Sequence, residues 1–101
     1  MNKFEYIKWF WKHNNDDFPN LLFYEIDLEN ERYATRMIEV FSDKRAIHVI
    51  EKGFDFITEE PVPTIDEINI EPEFYAMIIS KEEFENVYKS EKYAGDIIFP
   101  K

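Results

Sequence analysis

The stretch LLFYEIDLENERYATRMIEV is rich in strand-forming residues, yet it carries two acids and two arginines near its middle: Glu25, Asp27, Arg32 and Arg36. Carboxylates beside arginines can form a site for a small charged ligand, because a guanidinium donates paired hydrogen bonds to carboxylate or phosphate oxygens. They can also hold two strands in register, because a slip of one residue would turn the charges into the core. We favour the second role and keep the small-ligand site as an alternative.

A β-hairpin with a four-residue loop at Leu28–Glu31 would bring these charges together. It places Asp27 opposite Arg32 and Phe23 opposite Arg36. Both acids and both arginines then share one face, while the other face is nearly all apolar. We expect the charged face to be turned to solvent. Exposed ion pairs contribute only about 0.2–1 kcal/mol each, so the expected role of these pairs is to specify how the strands align.

The two histidines are the other candidates for chemistry. His13 lies in the loop sequence HNNDD with Asp16 and Asp17, which could form a metal site or a general base. One histidine with two loop acids is a weak metal signal, because turn carboxylates usually accept hydrogen bonds from backbone amides. The next expected strand places His48 opposite Glu39, but the chain has no cysteine and no serine in a turn typical of nucleophiles. We therefore predict no enzyme activity, no metal and no cofactor.

Composition narrows the partners that the chain is expected to bind. The formal net charge is −10 over 101 residues, and residues 51–101 hold thirteen acids against five bases. Such a field repels nucleic acids and anionic membranes and attracts a basic protein, although acidity can also serve only to keep an aromatic-rich chain soluble. We therefore expect neither nucleic acid nor membrane as a partner, and the oligomeric state stays open.

Length and cysteine content bound the class of protein. A chain of 101 residues suits a single domain, 1–101, with a modest core. The absence of cysteine excludes a disulfide framework. No apolar run is long enough to cross a bilayer, and the first residues lack the features of a secretory signal. We expect a cytoplasmic protein.

Patterns along the chain predict an α+β fold. Capping boxes, in which a hydroxyl and a glutamate cap a helix start together, occur at Thr64–Glu67 and at Ser80–Glu83. The expected strands are 4–13, the two arms of the hairpin, 46–52, a possible edge strand within 53–63, and 74–80. The predicted architecture is a mostly antiparallel four- or five-stranded sheet with one longer C-terminal helix and one short helix.

Three further expectations concern single elements. The strand at 4–13 is apolar on both faces, which predicts an inner strand. The longer helix should carry Phe84 and Val87 on its buried face and Glu85 outside, and Gly95 should end the helical region. The apolar tail DIIFPK should dock on the domain or add a short strand.

A series of motifs resembles a known family. It begins with Tyr6, Trp11, His13, Asn14, Asp17 and Pro19, continues from YEID to EVFSD, and ends with EEPVP, EIN and ISKEEFE. Over roughly residues 6–88 this series is similar to a family of small acidic bacterial proteins of unassigned biochemical activity. Members are encoded near polymorphic or contact-dependent toxins. Relatives usually have Asp-Gly where this chain has Asp43-Lys44, which leaves the geometry of the second turn open.

The resemblance implies an immunity protein that binds and neutralises a toxin domain, plausibly a basic nuclease. Acidic side chains would then mimic the phosphates of the toxin's substrate and occlude its active site. The alternatives are a small anionic-ligand binding module and a regulatory subunit with an acidic docking face. The candidate partner-binding residues are Glu59, Glu60, Asp66, Glu67, Glu71 and Glu73, followed by Asp16 and Asp17.

Overall fold

The computed structural model describes residues 3–49 and 60–101. Within these ranges the strands are β1 (Phe4–Trp11), β2 (Leu21–Asp27), β3 (Tyr33–Val40), β4 (Ala46–His48) and β5 (Phe74–Ile79), and the helices are α1 (Ile65–Ile68) and α2 (Lys81–Tyr88). The predicted α+β architecture is confirmed, with one short helix and one longer C-terminal helix. Of the possible edge strand within 53–63, residues 53–59 lie outside the described ranges, and residues 60–63 form no strand.

The five strands form one antiparallel sheet in the order β4-β3-β2-β1-β5. β1 lies between β2 and β5, as its apolar side chains on both faces predicted. β5, although it comes late in the chain, pairs with β1 at one edge of the sheet, and β4 forms the other edge.

The hairpin of β2 and β3 forms, but the predicted register is wrong. Glu25 lies opposite Arg36 and Phe23 lies opposite Ile38, two residues from the predicted pairing. The register shifts again between Glu25 and Ile26. Such an irregularity inserts an extra residue on one strand and increases the local twist. Because the shift over most of the hairpin is two residues, the side chains keep their faces but meet different partners.

Asp27 organises the turn that follows β2. Its Oδ1 accepts the Glu29 backbone N–H at 3.0 Å and its Oδ2 accepts the Asn30 amide at 2.6 Å. Glu31 and Arg32 have left-handed backbones, with φ of 57° and 65°. The turn therefore spans residues 28–32, one residue more than predicted, and the predicted pairing of Asp27 with Arg32 is not formed.

The register of β3 and β4 also differs from the prediction. His48 lies opposite Ile38, and Ile47 lies opposite Glu39. Because side chains alternate along a strand, this one-residue difference places His48 and Glu39 on opposite faces of the sheet.

Both faces of the sheet carry a hydrophobic cluster. The prediction that the charged face of the hairpin is turned to solvent is therefore wrong. Face A holds the buried residues Tyr6, Phe10, Leu21, Phe23, Ile38, Val40 and Ile79, and Phe84 and Val87 of α2 pack on it. Face B holds Ile7, Leu22, Tyr24, Ile26, Ala34 and Ala76, and Val62 and Ile68 pack on it. Each face thus has its own small cover, α2 on face A and α1 with its flanking residues on face B.

The chain after α2 completes the cover of face A. α2 ends at Tyr88 with Lys89 as its C-cap, well before Gly95, where the helical region was predicted to stop. Ile97 and Phe99 pack against the face A cluster. The predicted docking of the tail is therefore confirmed.

The turn between β3 and β4 contains the position at which this chain was expected to depart from its relatives. Lys44 has a left-handed backbone with φ of 70°, a conformation that glycine adopts readily and that costs a residue with a side chain about 1–2 kcal/mol. The geometry of this turn, which the sequence left open, is therefore the left-handed one that glycine favours, and Lys44 adopts it at a cost in stability.

Candidate functional site

Residues 60–73, here called the α1 segment, contain five acids and no base. The segment begins beside the β2–β3 turn, where the Val62 N–H donates to the Arg32 carbonyl at 2.8 Å. It ends at the opposite end of the sheet, where the Glu73 carbonyl accepts the Lys12 N–H at 2.8 Å. The segment therefore carries its acids along the length of face B.

A capping box starts α1, as the sequence predicted. The Thr64 hydroxyl accepts the Glu67 N–H at 3.3 Å, and the Glu67 carboxylate accepts the Thr64 N–H at 3.1 Å. This hydrogen bond from the Thr64 backbone lowers the pKa of Glu67. Glu67 is exposed, but its carboxylate already holds the first turn of the helix, so replacing it would disturb the segment as well as its charge.

Asn69 fixes the α1 segment to the free edge of β5. Its side-chain amide donates to the Ala76 carbonyl at 3.0 Å, and its oxygen accepts the Ala76 N–H at 2.6 Å. Ala76 is the strand partner of Trp9 on β1. Its own N–H and carbonyl point away from β1, towards the Asn69 side chain. Asn69 thus pairs with an edge strand as another strand would, and it blocks that position against intermolecular pairing.

The remaining acids of the segment point away from these anchors. Glu60, Asp66, Glu71 and Glu73 are all exposed. Ile70, which lies among them, is 77% exposed, the highest value among the large apolar side chains of the described residues. An exposed apolar residue with acids on both sides in the sequence resembles the composition of many protein interfaces, in which an apolar anchor is surrounded by a polar rim.

Two of the other predicted partner-binding residues, Asp16 and Asp17, lie in a loop outside the α1 segment. Asp16 and Asp17 are exposed in the β1–β2 loop, and Asp16 accepts the Ser42 hydroxyl at 3.0 Å from the β3–β4 turn. The Asp17 N–H donates to the Asn15 side chain at 2.9 Å. Glu59 lies outside the described residues. The structure therefore brings Glu60, Asp66, Glu67, Glu71 and Glu73 onto one segment, and it ties Asp16 to another.

The charged residues of the hairpin form a network beneath α2 instead of a solvent-facing ladder. Arg36 donates from Nε and Nη2 to the two carboxylate oxygens of Glu25, at 2.9 and 2.6 Å, and Nη2 also donates to Glu85. Thr35 and Tyr6 donate to Glu25 at 2.7 and 2.8 Å. Glu25 is 7% exposed, so the prediction of weak surface pairs is wrong for this pair.

The electrostatics of the network follow from this burial. Burial alone would raise the pKa of Glu25, but hydrogen bonds from Arg36, Thr35 and Tyr6 outweigh it and lower the pKa to about 2. The hydrogen bond to Glu25, followed by that to Glu85, raises the pKa of Arg36. Burial, together with Glu25, raises the pKa of Tyr6 to about 12. All three groups therefore keep one protonation state throughout the physiological range.

Aromatic rings enclose the same guanidinium. The Cζ atom of Arg36 lies 4.9 Å from the ring centroid of Phe84 and 4.6 Å from that of Tyr88, both on α2. His48 in turn stacks on Tyr88, with 3.9 Å between the two ring centroids, and its Nε2 lies 2.6 Å from the Tyr88 carbonyl oxygen. Arg36 is thus held by two carboxylates and two rings and has the geometry of a structural cation.

The second arginine of the hairpin pairs elsewhere. Arg32 donates from Nη2 to Glu5 at 3.0 Å and from Nε to the Val62 carbonyl at 2.9 Å. Glu5 was not anticipated as a partner of Arg32, because the two residues are 27 positions apart in sequence. Arg32 therefore joins the start of the α1 segment to the sheet.

Both histidines are engaged in contacts within the fold. The Asn15 N–H donates to Nδ1 of His13 at 3.0 Å, and Nε2 lies 2.7 Å from the Pro19 carbonyl, so both ring nitrogens hold the loop. Across residues 3–49 and 60–101 no cluster of three or more His, Asp or Glu side chains could hold a metal ion. The predicted pairing of His48 with Glu39, which suggested an oriented base, is absent.

Two of these stabilising contacts carried no usable sequence signal. Asn69 follows a short helix and would ordinarily be assigned only as its C-cap. Glu85 was predicted to lie on the outside of α2, but it is half-buried and reaches Arg36. Glu85 and Arg36 are 49 residues apart in sequence, so only the packing of α2 on the hairpin reveals their contact. Asn69 and Ala76 are seven residues apart, but no residue pattern indicates that a side chain bonds to the strand edge.

The fold and the α1 segment define the class of this protein as a small α+β domain, with an antiparallel sheet between two short helical covers and an acidic segment over one face. Residues 5–93 match a family described as a domain of unknown function, DUF6881, and the chain belongs to this family. No curated protein and no solved structure matches the chain. Neither helix in the described part of the chain has the length and apolar character needed to cross a bilayer.

Proposed function

We propose that this protein is a cytoplasmic immunity protein that binds a cognate toxin domain, plausibly a basic nuclease, and neutralises it by occluding the active site. The supporting observation is the α1 segment. It presents five exposed carboxylates, of which Glu67 also caps α1, and one exposed isoleucine on a backbone that hydrogen bonds fix to the sheet. A prearranged surface of this kind suits binding, because little conformational freedom is lost when the partner docks.

Charge gives the surface its preference for a basic partner. Carboxylates along one face accelerate the approach of a cationic protein, and they compete with nucleic acid phosphates for the same basic residues. Ile70 would supply the apolar contact that retains the complex once it has formed. In this scheme the protein has no catalytic residue, and neither nucleic acid nor membrane is its partner.

Co-expression with the protein encoded immediately upstream tests this function. The expected result is rescue of growth together with a stable complex that can be purified. A harmless neighbour with no complex would contradict the proposal. It would instead favour the alternative of a regulatory subunit with an acidic docking face.

Charge reversal tests the surface itself. Changing Glu60, Asp66, Glu71 and Glu73 to Lys should slow association by about tenfold or more at low salt and reduce its salt dependence. Glu67 is left unchanged because it caps α1. A matched control reverses four exposed acids outside the segment, Glu29, Glu31, Glu82 and Glu91, which alters the net charge equally. If both variants slow association to the same extent, net charge and not this surface would be responsible.

The small-ligand alternative is not favoured by the hairpin cluster on which it was based. The Nε and Nη2 atoms of Arg36 already donate to Glu25 and Glu85, and two aromatic rings lie against the guanidinium. An anionic ligand would have to displace a buried carboxylate to reach this arginine.

A further inference from the structure

The half of face B that lies away from α1 contains a carboxylate with unusual surroundings. Strand pairing aligns Trp9, Leu22, Glu39 and Ile47 in one row across β1, β2, β3 and β4. The α1 segment packs on the β5 side of this face. At the other end of the row Ile47 is 41% exposed, and Glu39 is half-buried beside it.

Glu39 is the exception among the acids that are at least half-buried. Within the described ranges these acids are Glu5, Glu25, Asp27, Glu39 and Glu85. Three of them pair with arginine, at Arg32 or Arg36, and Asp27 accepts hydrogen bonds from its turn.

The side chain of Glu39 has no such compensation. It forms neither an ion pair nor a hydrogen bond with any residue that the structure describes. Its neighbours on the same face are mainly apolar: Leu22 and Ile47 lie directly opposite, and Met37 lies two positions along β3. The phenol of Tyr24, diagonal to Glu39, is the polar neighbour, and the Glu39 charge contributes to the raised pKa of that phenol. Burial raises the pKa of Glu39. A carboxylate that loses water without gaining a partner lowers the stability of the free protein.

We propose that Glu39 receives a lysine or arginine side chain from a basic protein partner, with Met37 and Ile47 as the apolar rim of the contact. This inference rests on the proposed function, since it concerns the same partner. Charge complementarity selects the occupant, because a cation supplies what the carboxylate lacks. The rim excludes water, and ion pairs at the protected centre of an interface contribute more than exposed ones.

The position of Glu39 allows one partner to contact it together with the α1 segment. Both lie on face B, and five strands spaced about 4.8 Å apart span roughly 20 Å. A standard interface buries about 800 Å² on each partner, which is enough to cover that width. Glu39 would thus be an interface centre that the α1 carboxylates guide the partner towards.

The substitution Glu39→Gln tests the inference, because it removes the charge and retains the shape. In the complex with the protein encoded upstream, we expect the affinity to fall about 10–100-fold, mainly through faster dissociation. In the free protein we expect the melting temperature to stay the same or rise. A purely structural residue would not show this opposite pair of effects. The control Glu82→Gln changes an exposed acid on α2 and should alter neither quantity.

Each other outcome is decisive. If the wild-type complex forms and Glu39→Gln binds equally well, the role of Glu39 is wrong while the proposed function stands. If no complex forms with the wild type, both are withdrawn. A melting temperature several degrees lower for Glu39→Gln would assign it a structural role. Sedimentation that shows a wild-type dimer, lost on Glu39→Lys, would identify a second copy as the occupant and would also overturn the inference.

Discussion

Face A and face B of the sheet use acidic residues in opposite ways. On face A, Glu25 is buried beneath α2 and engaged by Arg36, Thr35 and Tyr6. On face B, the acids of the α1 segment are exposed, and Glu39 is half-buried and has no partner among the residues that the structure describes. Glu25 therefore stabilises the fold, whereas Glu39 and the acids of the α1 segment other than Glu67 remain available for contact. Burial and partnership, and not net charge, separate the two roles.

The largest expected effect comes from breaking the network on face A. Arg36→Met keeps most of the side-chain volume but leaves the Glu25 carboxylate buried without its cation, and we expect a loss of about 3–5 kcal/mol in the free energy of unfolding. Urea denaturation measures this loss. The control Arg45→Met removes an exposed arginine paired with Asp43 and should cost less than about 1 kcal/mol.

The pH dependence of the same variant separates charge from packing. In the wild type the pKa of Glu25 is lowered from 4.5 to about 2, so its stabilisation is complete above pH 4.5 and is lost as the pH falls towards 2. The difference in stability between wild type and Arg36→Met should therefore shrink over that interval. A difference that stays constant would show that packing against Phe84 and Tyr88 is the main contribution of Arg36.

A smaller effect is expected on face B, from Asn69→Ala. The change removes both hydrogen bonds to Ala76, a residue that is only 2% exposed. It should lower the free energy of unfolding by about 1–3 kcal/mol. It also opens an edge strand, so we expect concentration-dependent self-association in analytical ultracentrifugation. Asn86→Ala, at an exposed position on α2, is the matched control. A strictly monomeric Asn69→Ala variant would show that Asn69 does not protect the edge.

The smallest expected effect lies in the β3–β4 turn, outside both faces. Lys44→Gly relieves the left-handed backbone at φ of 70° and should raise the free energy of unfolding by about 0.5–1 kcal/mol. Lys44→Ala removes the same ammonium but retains a Cβ atom, so it should give no such gain. Equal stabilisation by both substitutions would trace the effect to the lysine charge and not to the backbone.

Sequence reasoning succeeded where the interactions are local. The capping residues Thr64 and Ser80 bond within three residues, and the pattern of β1 reports its own two faces. It failed for the hairpin register, because the irregularity between Glu25 and Ile26 has no distinct sequence signal. One clue was present: Leu21, Phe23 and Ile38 share a face with the charges, and three large apolar residues there argue against a solvated surface.

The candidate site was predictable only in part. The acidic composition of residues 60–73 could be read directly, and the segment does lie on one face. Its fixation depends in part on Arg32, which bonds to Glu5 and Val62, residues that the fold brings near. The isolation of Glu39 depends on the β3–β4 register, which was predicted one residue away. Long-range pairing decides both, and single residues do not encode it.

The brevity of α1, which has four helical residues, has a consequence for local opening. A single turn has little intrinsic helical stability, so the backbone amides of residues 65–68 rely on their side-chain anchors to stay closed. Amide hydrogens there should exchange with deuterium far sooner than those of the sheet beneath, through brief excursions that leave β1 and β2 intact. A bound partner would slow this exchange, and the protected amides would trace its footprint.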